Sequence, residues 1–135
     1  DEFRIDAVEV TFYPEVGNTI VTAVSGVNPV QMPIVMTVID YDDGTVLQDQ
    51  NAFLDYQSCL IKRCTQTFTR RIRPAFAVAG FSSATTTSYG ISRGWRDVAS
   101  AATPWYGIKY LITPSGIPLR WKVFVRYFLQ FRIIR

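Results

Sequence analysis

The stretch whose reading decides the fold is RWKVFVRYFLQFRIIR, residues 120–135. Taken every second residue, it separates into two sets. Trp121, Val123, Val125, Tyr127, Leu129, Phe131 and Ile133 carry no polar group except one tyrosine hydroxyl. Arg120, Lys122, Phe124, Arg126, Phe128, Gln130, Arg132 and Ile134 mix cations with aromatics. A period of two is that of a β-strand, whose successive side chains point to opposite faces. A strand of about 15 residues far exceeds the usual five or six. It is expected to have partners on both sides, to lie centrally in its sheet and to close a core with its apolar set.

The rest of the chain speaks the same language. RIDAVEVTFY, residues 4–13, alternates, with Val8, Val10 and Phe12 on one face, and Pro14 stops it. IVMTVIDY, residues 34–41, is a second strong strand, running into the turn signal Asp42-Asp43-Gly44-Thr45. DQNAFLDY, residues 49–56, predicts a short helix capped by Asp49, with Phe53 and Leu54 packed inward. Residues 58–64 and 65–73 predict two strands or one long bent one, ended by Pro74. Residues 75–103 are small and polar, with a weak strand near Tyr89 to Ile91 and a helical turn at Trp95 to Ala99. WYGIKYLIT, residues 105–113, is a strand, and Pro114-Ser115-Gly116 turns the chain into the closing one. Seven or eight strands with little helix make an antiparallel sandwich or barrel. No domain boundary interrupts it, so residues 1–135 are read as a single domain, long enough for one core.

Composition narrows the function. The net charge is +3 with a pI near 9.0, compatible with an anionic partner. The chain contains no histidine, which removes Ser-His-Asp and Cys-His nucleophiles and a histidine general base. Cys59 and Cys64 are too few for a four-ligand zinc site and are expected to be free, partly buried thiols. No apolar run reaches the roughly 18 residues of a membrane span. No enzyme, cofactor or membrane partner is expected. The chain begins at Asp1 without methionine, so a trimmed N-terminus with further sequence upstream is expected.

Four colinear stretches resemble the capsid proteins of circular single-stranded DNA viruses that encode a replication initiator, the circoviruses and their relatives. They are RIDAVEVTFYP at 4–14, DYDDGTVL at 40–47 with FLDY at 53–56, TFTRRIRP at 67–74, and WYGIKYLIT at 105–113 with RWKVFVRYFLQFR at 120–132. The resemblance implies an all-β, eight-stranded antiparallel jelly roll with one or two short helical turns in loops. It implies a homo-oligomeric icosahedral shell of sixty copies, a packaged single-stranded DNA genome, a place in the virion, and assembly in the host nucleus. It also implies an arginine-rich arm upstream of Asp1. Sixty copies at +3 carry about 180 charges, whereas a gene for these residues alone has about 405 phosphates. Extra cations must supply the difference.

Two basic groups are the candidate nucleic-acid surface. Lys62, Arg63, Arg70, Arg71 and Arg73 form one; Arg120, Lys122, Arg126 and Arg132 form the other. Cations hold phosphates and aromatics stack bases, and Phe124 and Phe128 share the alternating set of Arg126. The alternatives are carboxylate ion pairs for the arginines and burial under a neighbouring subunit for the phenylalanines. Tyr13, Trp95, Trp105 and Tyr106 are candidate subunit-interface aromatics, with core packing as the alternative. Asp40, Asp42 and Asp43 are read chiefly as a hydrogen-bonded turn, and otherwise as an interface ion pair or a calcium site. The competing function is a jelly-roll carbohydrate- or ligand-binding module, or a cytokine-like trimer.

Overall fold

A computed structural model describes residues 1–15, 33–42, 44–82, 87–100, 102–114 and 120–134, with 79–82 and 87–89 as backbone. Asp43, most of the 15–31 loop and the Ser115-Gly116 turn lie outside the described residues. The elements in chain order are β1 (Glu2–Pro14), β2 (Ile34–Asp40), α1 (Gln50–Leu54), β3 (Leu60–Arg63), β4 (Phe68–Ile72), β5 (Ala75–Ser82), β6 (Thr87–Ser92), β7 (Arg96–Asp97), a 3-10 turn (Val98–Ser100), β8 (Trp105–Ile112) and β9 (Trp121–Arg132).

They form two antiparallel sheets. The second has the order β3-β2-β8-β5-β6. The first is built on β1. β9 runs along it from Glu2↔Arg132 to Pro14↔Trp121, while β4 takes Val8 to Phe12 and β7 takes Glu2 and Phe3. A strand has two edges, so β4 and β7 share the edge that β9 does not occupy. The weak strand expected near Tyr89 to Ile91 is present as β6, and it forms a hairpin with β5, which was not expected and which joins β8 at Ala75↔Tyr106 and Phe76↔Trp105.

Between the sheets lies a core of Val8, Val10, Phe12, Val35 and Ile72, flanked by Ile5, Ile39, Phe68, Ile108, Ile112 and Trp121. Phe12 stacks on Phe68 at 4.8 Å and meets Tyr110 edge-on at 5.4 Å. A second cluster, Met36, Val38 and Phe53, covers the other face of β2. The Asp49 carboxylate accepts the Ala52 N–H at 2.8 Å, the expected helix cap, which seats Phe53. The following residue turns outward: Leu54 is 56% exposed, because one turn and a half of helix has only one covered side. Cys59 and Cys64 are free thiols.

The closing strand departs from its expectation. Among the described residues it pairs with β1 alone, which makes it an edge strand of the described sheet and not a central one. Only Trp121 of its apolar set joins the core; Val123, Val125, Tyr127, Leu129, Phe131 and Ile133 are 38–75% exposed. A cleft of about 890 Å³ opens between the sheets there, lined among others by Ile5, Val8, Ile72, Ile108, Val123 and Tyr127. The period-two pattern reported a two-faced strand correctly, but carried no information on how many neighbours it has. The described strands make two antiparallel sheets of an all-β sandwich, without establishing the eight-stranded jelly-roll order.

Candidate nucleic-acid and subunit interface

The two basic groups meet different fates. In β4, alternation turns Phe68, Arg70 and Ile72 inward and Thr69 and Arg71 outward. Arg70 reaches the second sheet, donating to the Thr37 hydroxyl at 3.0 Å and to the Ser58 carbonyl at 2.7 Å. It clasps the two sheets together from within, and its neighbour Phe68 is held in the core stack. The structure therefore corrects the grouping of Arg70 with the surface cations: strand parity separates it from Arg71. Arg73 and Arg63 are exposed and Lys62 is half-buried on β3 at the margin of the second sheet. None of these three has an ion pair among the described residues.

The outer face of the first sheet is charge-matched. Three carboxylates spaced along β1 and its end meet the cations of β9. Arg132 pairs with Glu2, its Nε 2.6 Å from Oε2. Arg126 stands 3.7 Å from Glu9, which also accepts from Arg71 at 3.2 Å. Lys122 is 2.9 Å from Glu15. The Lys122 hydrogen bond draws the Glu15 carboxyl below its usual value, aided by the charges of Lys122 and Arg120. Arg120 itself is exposed, and its carbonyl accepts the Glu15 N–H at 2.9 Å, extending the β1–β9 pairing. Sequence spacing alone does not show these pairs. Glu2 and Glu9 are seven residues apart, whereas Arg132 and Arg126 are six apart. The register irregularity between Ile5 and Ala7 absorbs the extra residue and brings both pairs into line.

Aromatics are woven through this face. Arg71 lies over Phe128, 4.8 Å from its centroid. Phe124 is 58% exposed and meets Tyr13 edge-on at 5.3 Å. Arg4 and Arg132 both approach the Trp95 ring, at 5.0 and 4.6 Å, so this half-buried indole is engaged within its own subunit. Trp105 packs against Phe76 at 4.7 Å and Phe3 at 6.1 Å, and half-buried Tyr106 faces Gly44. Of the four interface aromatics, only Tyr13 is presented to the outside.

Asp40 is buried, and proton donors surround it. The Lys109 ammonium and the Tyr56 hydroxyl each donate at 2.7 Å, and the Asp42 N–H donates at 2.9 Å. Burial pulls the carboxyl upward, but the three hydrogen bonds and the ammonium outweigh it, leaving Asp40 below the usual carboxylate value. Ammonium and carboxylate already neutralise one another there, and Asp42 is exposed. This is the hydrogen-bonded turn. Among the described residues, no group of three or more acidic or thiol side chains gathers into a metal-binding set.

Among the described residues, a two-sheet scaffold leaves most of a long aromatic and basic strand exposed, the surface of a protein that works by association. The circovirus capsid protein family matches the chain over residues 1–135, its whole length, and the chain belongs to that family. It is thus a viral capsid protein, a structural component of the virion. No curated protein and no solved structure matches it.

Proposed function

We propose that this capsid protein assembles into a small icosahedral shell of sixty copies that packages a circular single-stranded DNA genome. The observation that carries the reading is the family match across all 135 residues. A carbohydrate- or ligand-binding module or a cytokine-like trimer has no comparable support. Assembly in the host nucleus follows from the family resemblance alone.

The cations divide by how much charge they retain for phosphate. Lys122 and Arg132 each face a carboxylate, and Arg71 and Arg126 share Glu9. Lys62, Arg63 and Arg73 have no such partner among the described residues and are the residues we assign to the genome. Arg71 and Arg126, two charges on one carboxylate, come next, with Phe124 offering a stacking face. Phosphate neutralisation by a few side chains per subunit, repeated around a shell, is sequence-tolerant and salt-sensitive. Substituting Lys62, Arg63 and Arg73 together by alanine is expected to lower the 260/280 absorbance ratio of purified particles. An unchanged ratio would remove these three from the packaging surface.

A further inference from the structure

We propose that β9 pairs antiparallel with β9 of a second copy, about a two-fold axis at Phe128, continuing the first sheet across two subunits. The proposal rests on the capsid reading for the identity of its occupant: a shell protein meets copies of itself.

The physical case begins with the free edge. β9 uses one edge for β1, and no other described strand takes the second. A row of free N–H and C=O groups twelve residues long is a template for another strand. Natural sheets blunt such edges with proline, a bulge or an inward-pointing charge. Residues 121–132 contain no proline, and the core-side set Val123, Val125, Tyr127, Leu129 and Phe131 contains no charge.

Register supplies the specificity. A two-fold axis normal to the sheet keeps each face on its own side, so odd residues meet odd and even meet even. Centring the axis on Arg126 opposes that residue to itself. Centring on Tyr127 opposes Lys122 to Arg132, and centring on Leu129 opposes Arg126 to Arg132. Centring on Phe128 opposes no two cations, and among the registers that avoid such opposition, Val125 and Gln130 included, it pairs the longest described stretch, 122–134. It places Tyr127 across from Leu129, Val125 from Phe131 and Val123 from Ile133, all exposed apolar side chains of the single subunit. On the outer face it sets Arg126 across from Gln130 and Phe124 across from Arg132, a cation over a ring. The carboxylates of Glu2, Glu9 and Glu15 already neutralise much of this face, so two copies can approach without strong repulsion.

The test uses the full chain. Phe128→Cys places a thiol next to its own symmetry mate and is expected to give a covalent dimer on mild oxidation, above the background of Cys59 and Cys64. Phe124→Cys, on the same face but away from the axis, is expected to give no more dimer than the parent. Gln130→Arg sets a cation across from Arg126 twice per pair and is expected to weaken association by up to about tenfold. Adding Arg126→Gln is expected to restore it, which relief of crowding beside Arg4 within one subunit would not do. Equal cross-linking at 124 and 128, or no rescue by the double substitution, overturns the pairing. So does a monomer whose thiol at position 128 resists alkylation, since another part of the same chain would then cover the strand. Shells that form normally without the Phe128→Cys cross-link refute the pairing and leave the capsid reading standing. Cross-linked dimers that never grow into shells support the pairing and count against sixty-copy assembly.

Discussion

β2 and β9 are both rich in apolar residues, five of seven and eight of twelve, and they live in opposite surroundings. β2 lies between β3 and β8, with its inner face on the core of the first sheet and its outer face under Phe53. Five of its seven residues are buried. Among the described residues β9 has one neighbour, and none of its twelve residues is fully buried. The difference is chiefly one of position, although β9 also carries three cations and a glutamine. A central strand obtains its cover from the same chain; an edge strand of the same hydrophobicity must find it elsewhere. On the pairing proposed above the elsewhere is another subunit, and the contrast would then separate residues that stabilise the subunit from residues that join subunits.

Substitutions along the two strands should therefore act on different measurements. The largest effect on folding is expected at the cover of β2. Phe53→Ala removes a fully buried ring and should cost about 4 kcal/mol in denaturant unfolding of the subunit. An effect below about 1 kcal/mol would mean that the outer face of β2 is not closed by α1.

Asp40, at the end of β2, should come next. Asp40→Asn removes the carboxylate that accepts from the Lys109 ammonium and the Tyr56 hydroxyl and should cost about 2 kcal/mol, less than a wholly buried pair because Lys109 keeps some water. The pH dependence follows from the lowered value of the folded carboxyl. Its contribution is complete above the unfolded carboxylate range and is lost as pH falls through the folded value. The parent should therefore lose stability on acidification more steeply than Asp40→Asn. Parallel curves would remove the charge of Asp40 from the account.

The smallest folding effect belongs to β9. Leu129→Ala, at a half-exposed site, should cost under about 1 kcal/mol in the subunit yet reduce association between subunits. A large loss of subunit stability with association intact would reverse the assignment.

How far all this was legible in the sequence depends on which neighbours decide each feature. Strand β1, the turn after β2 and the Asp49 cap were readable because alternation, turn chemistry and capping are local. Leu54 was misplaced because a helix of five residues can bury only one side. Arg70 was misgrouped because charge was counted along the chain, whereas strand parity decides whether an arginine points at the core or the outside. The position of β9 was unreadable in principle: its length and alternation are the same whether it lies at the centre of a sheet or at its edge. The carboxylate ladder of Glu2, Glu9 and Glu15 needed the register of β1 on β9, including its irregularity, before the spacings could be compared.

The most direct test is sedimentation velocity of the purified chain mixed with circular single-stranded DNA at low salt. The account predicts a discrete fast species containing about sixty subunits of 15.3 kDa together with nucleic acid, which dissolves as salt is raised. A chain that sediments as a monomer or trimer at every salt concentration, with DNA sedimenting free of it, would contradict it.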